Sequence, residues 1–487
     1  MNKSVLLLLV GIAAGQTGCS MAPKYTRPEA PVPAEWPAYE AAPPTANASD
    51  AALVGWQEFF ADQKLQRIIA AALKNNRDLR LAALNVERAR ALYGVQRAEL
   101  FPVFDASAIA GRERLPADLS GAGKPLTMNQ FGASLGLTSW EIDFFGRIRS
   151  LADRALEEYM ATEQARRGTQ ILLVSEVATA YLTLAADRET LNLARTTLEA
   201  QQAAYDLVKR RLDRGYVPEL DLFRAQTQVD AARRDIARYT QQVAQDKNAL
   251  DLLAGAPVPD DLLPAELGGV SPLKEISPGV SSEVLLSRPD IYEAEALLKA
   301  ANANIGAARA TLFPRISLTA AIGVGSTDLS HLFKSGSGAW NFTPQAVAPI
   351  FDARAWSALK VTEVDKQSAV AQYEKAIQTA FREVADALAV RSTVDQQVSA
   401  QESLVHAAAE THRLSSTRYV KGIDNYLSVL DAQQALYGAQ QRLVAIRWGK
   451  LANQVRLYAV LGGGWQSEPA APAESAAPAA PAAPATR

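Results

Sequence analysis

One short phrase of this chain occurs twice, and so does everything that follows it. Ala98-Glu99-Leu100-Phe101-Pro102 returns as Ala310-Thr311-Leu312-Phe313-Pro314. Each copy leads into two segments of alternating polarity, then into a very long helical stretch. Each stretch is broken once by a Gly-centred turn, Arg214 to Asp221 in the first half and Lys421 to Ser428 in the second. The central residues, Gly215 and Gly422, are 207 positions apart, so the two turns belong at one end of the molecule.

The strand signal is clearest in the second half. Ile316, Leu318, Ala320, Ile322 and Val324 alternate with small or polar residues, and Trp340, Phe342 and Ala346 alternate with Asn341, Thr343 and Gln345. In the first half Phe131, Ala133, Leu135 and Leu137 do the same, preceded by a weaker run from Val103 to Ala110. A period of two with one apolar and one small polar face fits a sheet between lipid and water. It also fits a half-buried sheet in a soluble domain. Trp140 and Trp340 stand at strand ends, where interfacial aromatics sit. Four strands are too few to close a membrane barrel, which begins at about eight, and lipid does not tolerate open edges. A membrane reading therefore requires subunits that pool their strands.

No Pro occurs from Ser150 to Val217 or from Ile350 to Glu468. About 60 helical residues span roughly 90 Å, too long for an ordinary globular domain. Leu222, Val229, Ile236, Val243 and Leu250 recur every seventh position, with Ala225, Ala232, Tyr239 and Leu253 between them. This is a coiled-coil pattern. Val444, Trp448, Leu451, Val455 and Tyr458 continue it in the second half, and Ile377, Phe381, Val384 and Leu388 precede it. Membrane-type strands joined to long coiled-coil helices are best accounted for by a hollow conduit through an outer membrane.

Lys3 followed by an apolar core from Val5 to Ala14 reads as a secretory signal. That core falls short of the roughly 20 residues of a bilayer-spanning helix, and no later segment is expected to supply one. The single cysteine, Cys19, sits behind it in Gly18-Cys19-Ser20 and is a candidate lipid acceptor, with Gln16 where a lipobox usually has Leu. The expected organisation is a signal peptide at 1–18, a lipid-anchored Pro/Ala linker at 19–54 and a first repeat at 55–265. A linker at 266–282, overlapping the Pro- and Gly-rich stretch from Pro257 to Pro278, leads to a second repeat at 283–465 and a disordered Pro/Ala tail at 466–487.

A formal net charge of −2 gives no basic surface for nucleic acid. The three histidines, His331, His406 and His412, form no zinc-type spacing, and no phosphate loop or nucleophile elbow occurs. No catalytic residue, metal or cofactor is expected. Around the second turn stand Arg418, Tyr419, Leu427 and Asp431. If several copies surround an axis, Leu427 forms an apolar ring and Asp431 an acidic ring one helical turn beyond it, able to throttle a pore. Alternatively Leu427 is a coiled-coil core residue and Asp431 a solvated one.

The longer motifs resemble the TolC-like outer-membrane efflux proteins, specifically the OprM/NodT lipoprotein branch. They are Gly18-Cys19-Ser20 with Pro23 and Tyr25, Leu286 to Ile291, Ile305-Gly306-Ala307-Ala308, Leu312-Phe313-Pro314, Arg418 to Leu427, Leu430-Asp431-Ala432-Gln433, and Leu461 to Trp465. The resemblance implies an α+β membrane protein, a homotrimer whose subunits each lend four strands to a twelve-stranded barrel continued by a periplasmic helical barrel. It implies a passive exit duct in a tripartite pump. The partners would be outer-membrane lipid, a periplasmic adaptor meeting the hairpin tips at Gly215 and Gly422, and an inner-membrane pump of the resistance-nodulation-division class. It implies that Leu427 and Asp431 form the periplasmic constriction, with Arg418 and Tyr419 in its closing network. A duct for protein secretion or metal efflux, and a non-channel periplasmic scaffold, stay open as alternatives.

Overall fold

The computed structural model describes residues 20–37, 54–121, 123–271, 273–274 and 281–463. The signal segment, Cys19 and the Pro/Ala tail lie outside them. The chain runs α1 (Trp56–Phe59), α2 (Gln63–Asn75), α3 (Arg77–Ala98), β1 (Phe104–Leu115), β2 (Leu126–Glu141), α4 (Arg147–Leu212), α5 (Glu219–Ala254), α6 (Pro289–Ala310), β3 (Arg315–Ser326), β4 (Gly338–Val347), α7 (Ala353–Val420) and α8 (Tyr426–Val460). Three short 3-10 turns lie between α5 and α6, and one between β3 and β4.

The chain folds into two compact units. One comprises the residues up to Ala30, Leu84–Glu163 and Tyr292–Lys375; the other comprises Pro31–Ala83, Gln164–Ile291 and the chain from Ala376 onward. The units are a different partition from the sequence halves, because β2 of the first half pairs with β3 of the second. Strand pairing interleaves the repeats.

In the first unit the four strands form one antiparallel sheet in the order β1-β2-β3-β4. β1 extends five residues beyond the run legible in sequence, and β2 begins five residues before Phe131. Register aligns the alternation across the whole sheet. Phe104 opposes Leu137, Leu137 opposes Ala320, and Ala320 opposes Phe342. Beside them Ala106, Leu135, Ile322 and Trp340 form a second apolar row. On the opposite face the matching rows are Asp105, Gly136, Ala321, Asn341 and Ser107, Ser134, Gly323, Ala339. The Ser107 and Ser134 hydroxyls are 2.9 Å apart. Among the described residues the apolar face has no cover: Ile322 is 69% exposed and Trp340 79%. β1 and β4 each pair on one side alone among the described residues, so both are free edges.

At the base of the sheet a bulge between Leu137 and Trp140 shifts the register. Arg147 then holds the buried Glu141 carboxylate through two bonds of 2.9 Å, and Arg315 adds a third contact at 2.6 Å. Asp143 accepts from the backbone N–H groups of Ile148 and Arg149, capping α4.

The N-terminal segment is a strap laid along α6. The guanidinium of Arg309 donates to the Met21 carbonyl, Ala22 packs on Gly306, and Asn302 donates to the Pro23 carbonyl at 2.8 Å. Lys299 sits over the Tyr25 ring, and Arg27 and the Tyr25 hydroxyl both donate to the buried Glu295 carboxylate. The α6 positions 309, 306, 302, 299 and 295 descend one helical face. Their roughly 21 Å matches the roughly 20 Å of the six extended steps from residue 21 to residue 27.

The second unit is a helical bundle. Pro-free, Ala-rich sequence lets α4 run 66 residues and α7 run 68. The heptad residues Ala225, Val229, Ala232 and Leu250 of α5 are buried, while Leu222, Ile236 and Val243 are only half-buried. α4 corrects one expectation: it contains an 18-residue window of mean hydropathy 1.3, apolar enough to cross a bilayer. That window is 56% buried, and Val174, Val177, Ala178, Tyr181 and Leu182 of α4 are core residues, so packing accounts for its composition. Phe59 stacks on Tyr458 at 4.0 Å, and Trp36 on Phe381 at 4.7 Å. Arg288 donates to Asp290, Glu383 and the Val460 carbonyl, closing the C-terminus of α8.

Candidate functional site: the hairpin tips

α4 and α5 form one hairpin, α7 and α8 the other, and both turn the same way. Gly215 and Gly422 each have φ 73°, the left-handed conformation that costs other L-residues roughly 1–2 kcal/mol. One residue further, Tyr216 N–H donates to the Arg211 carbonyl and Ile423 N–H to the Arg418 carbonyl, at 2.9 and 3.0 Å. This is the same helix-closing motif twice. Pro218 then opens α5, with Glu219 and Asp221 in its first turn, and Asn425 caps α8 by accepting from Ser428 N–H.

Between the two tips lies an apolar cluster of Val208, Ala225, Tyr419, Tyr426, Val429 and Leu430. The Tyr419 and Tyr426 rings are 5.2 Å apart, and both hydroxyls are buried without a hydrogen-bond partner among the described residues. Burial, then the neighbouring Tyr419 and the Asp221 charge, push the Tyr426 phenol up to about 12. Arg211, at the end of α4, stacks 4.7 Å above the Tyr419 ring and donates to the Val420 carbonyl that ends α7. Sequence reasoning missed Arg211 and Tyr426. Arg211 stands 207 positions before Arg418, at the equivalent place in the repeat, and that offset was the signal that could have found it; Tyr426 has Glu219 at its equivalent position, and only the meeting of the two tips gives it a role.

The four tip residues singled out from sequence fall into different environments. Tyr419 is in the buried cluster. Arg418 makes a paired contact with Asp424, at 2.6 and 3.0 Å, across the turn. Leu427 is 42% exposed, so it is not a core residue of this chain. Asp431, four residues on, shares that exposed face and has no ion-pair partner among the described residues. Leu427 and Asp431 are therefore brought together on one uncovered face, and Arg418 is tied to its own turn.

Two free sheet edges, an uncovered apolar sheet face and long helical hairpins define a class: outer-membrane channel subunits. Similarity to known proteins agrees. A family model described as outer membrane efflux protein matches residues 68–256 and 280–463. The antibiotic efflux pump outer membrane protein ArpC of Pseudomonas putida is 48% identical over 471 residues, 96% of this chain and 97% of that one. The toluene efflux pump outer membrane protein TtgC, also of Pseudomonas putida, is similar to the same extent, 48% over 471 residues with the same coverage. Among solved structures, the open state of the Neisseria gonorrhoeae MtrE outer membrane channel is 35% identical with a TM-score of 0.82, covering 92% of this chain and 99% of that one. The chain belongs to the outer membrane efflux protein family.

Proposed function

We propose that this chain is one subunit of a homotrimeric exit duct, the outer-membrane component of a tripartite efflux pump. The observation that carries this is a four-stranded sheet with one apolar face and both edges unpaired. Alone it leaves a row of backbone donors and acceptors facing lipid; three copies joined edge to edge make a closed wall of twelve strands. The small polar face then lines a water-filled pore. The cargo class is small toxic compounds, antibiotics and aromatic solvents among them, as the names of the similar proteins suggest.

The duct itself is passive. An inner-membrane pump of the resistance-nodulation-division class supplies the energy, and a periplasmic adaptor meets the tips at Gly215 and Gly422. Around the axis Leu427 and Asp431 form the narrowest ring, with Arg418 and Tyr419 holding the tips in shape. Adaptor binding favours the arrangement in which that ring is wide, a population shift. Cys19 carries the lipid. The strap supports this, because it delivers the chain to the α6 end nearest β3 two residues after the cysteine. Purified protein in planar bilayers is expected to form ion-conducting pores, and a deletion strain to become sensitive to a panel of antibiotics and solvents. A protein that forms no pore at any concentration ends this reading.

A further inference from the structure

Well away from the tips, α8 is tied to the first hairpin by polar contacts that the gate does not use. The Tyr437 hydroxyl donates to Asp235 Oδ2 at 3.3 Å, and Gln441 Nε2 donates to the Tyr239 hydroxyl at 3.1 Å. Both pairs are separated by the same 202 positions, on residues four apart. Two rungs at constant offset mean that α5 and α8 run parallel in fixed register. The same offset places Trp448 level with Asp246. There Trp448 Nε1 donates to Thr183 Oγ1 of α4 at 3.1 Å, one turn from Asp187, whose carboxyl faces that of Asp246. Asp235 is itself buried and is flanked by Arg234 at 2.9 Å and Arg238 at 3.9 Å.

The tip cluster and this seam resist motion differently. At the tip, apolar contacts and a stacked guanidinium tolerate a slide of an ångström or more, and the Arg211 bond to the Val420 carbonyl ties the end of α7 rather than α8. Hydrogen bonds at 3.1–3.3 Å are already at the long end of the range, so a slide of a few tenths of an ångström breaks them. Leu427 lies ten residues below Tyr437 on the same helix, about 15 Å along its axis. Drawing Leu427 away from an axis while the first hairpin stays in place therefore strains the rungs, which tie α8 directly to α5.

We propose that this seam is a latch, separate from the tip, that holds the second hairpin in register on the first and biases the duct toward its closed arrangement; this rests on the reading of the chain as a gated duct. Its key groups are the hydroxyls of Tyr239 and Tyr437, the Asp235 carboxylate and the Gln441 amide. Each rung, long for its type, shifts the closed-to-open ratio about twofold per subunit.

The test is single-channel recording of the full protein carrying Tyr239→Phe and Tyr437→Phe together, which removes the hydroxyls and keeps the rings. Mean open probability or basal conductance is expected to rise several-fold with heat-modifiable oligomer yield unchanged. Should that pair reduce oligomer yield, Gln441→Leu, which deletes one donor at similar volume, is read instead with the same expectation. Unaltered conductance in a variant with normal oligomer yield overturns the latch. Wild-type protein and Leu427→Ala are recorded alongside. A wild type without pores defeats the duct reading itself. A wild type with pores, beside a silent Tyr pair, defeats the latch alone.

Discussion

At the residue scale, Leu427 and Asp431 present an apolar and an acidic side chain on an uncovered face one turn apart. In the proposed trimer these side chains form a ring, and truncating either one would widen it. Leu427→Ala and Asp431→Ala are both expected to raise single-channel conductance, and Asp431→Ala also to weaken cation preference measured by reversal potential in a salt gradient. Unchanged conductance in both would remove these residues from the gate. Arg288 is a structural counterpart: its guanidinium is 10% exposed and serves two carboxylates and the last carbonyl of α8. Arg288→Ala strands those groups and should cost about 2–3 kcal/mol, read as a lower thermal midpoint with conductance preserved. The sequence marked Arg288 as part of a motif, but its partner Glu383 is 95 positions away, and no local pattern links them.

At the scale of elements, the sheet makes an asymmetric prediction. Leu135 is on the apolar face and Asn341 on the small polar one. Leu135→Arg should cost roughly 2–4 kcal/mol in the bilayer and deplete assembled protein from the outer membrane, whereas Asn341→Arg should assemble and alter conductance. Equal assembly of the two would refute the assignment of faces. The hairpins make a pH prediction. Burial first, then the hydrogen bond and charge of Asp187, push the Asp246 carboxyl up to about 7. Asp246 thus holds a proton in the folded protein that the unfolded chain has released above about pH 4. The folded state binds more protons across that window, so this pair's contribution to stability falls as pH rises from about 4 to 7 and is level above it. Thermal midpoints of the solubilised protein should decline over that interval, and Asp246→Asn should flatten the decline. Elements were the most legible level. Alternation and heptads located all four strands and both long hairpins, because each periodicity reports one buried or lipid-facing side. The far ends of β1 and β2 were less legible, since Gly111 to Arg114 and Asn129-Gln130 carry no apolar alternation.

For the whole molecule, the decisive feature is incompleteness. Among the described residues the chain has two free edges and half-buried heptad positions, surfaces that the proposed trimer would cover with other copies. Co-expressing tagged and untagged chains should give four heat-modifiable species on gels, from all-tagged to all-untagged, the signature of three subunits sharing one wall. Three species would indicate a dimer and two a monomer, and either would end the twelve-strand arrangement.

The sequence by itself determined the duplication, the helix and strand content, the two glycine turns and the alternation that separates lipid from water. These are local or periodic properties, each written in neighbouring residues. The tertiary structure alone decided that β2 pairs with β3 across the repeats, that the strap runs down one face of α6, that Arg211 reaches the end of the opposite hairpin, and that α5 and α8 lock at an offset of 202. Such contacts join residues far apart in the chain, and their partners are fixed by packing geometry, for which no single stretch of sequence carries a periodic signal.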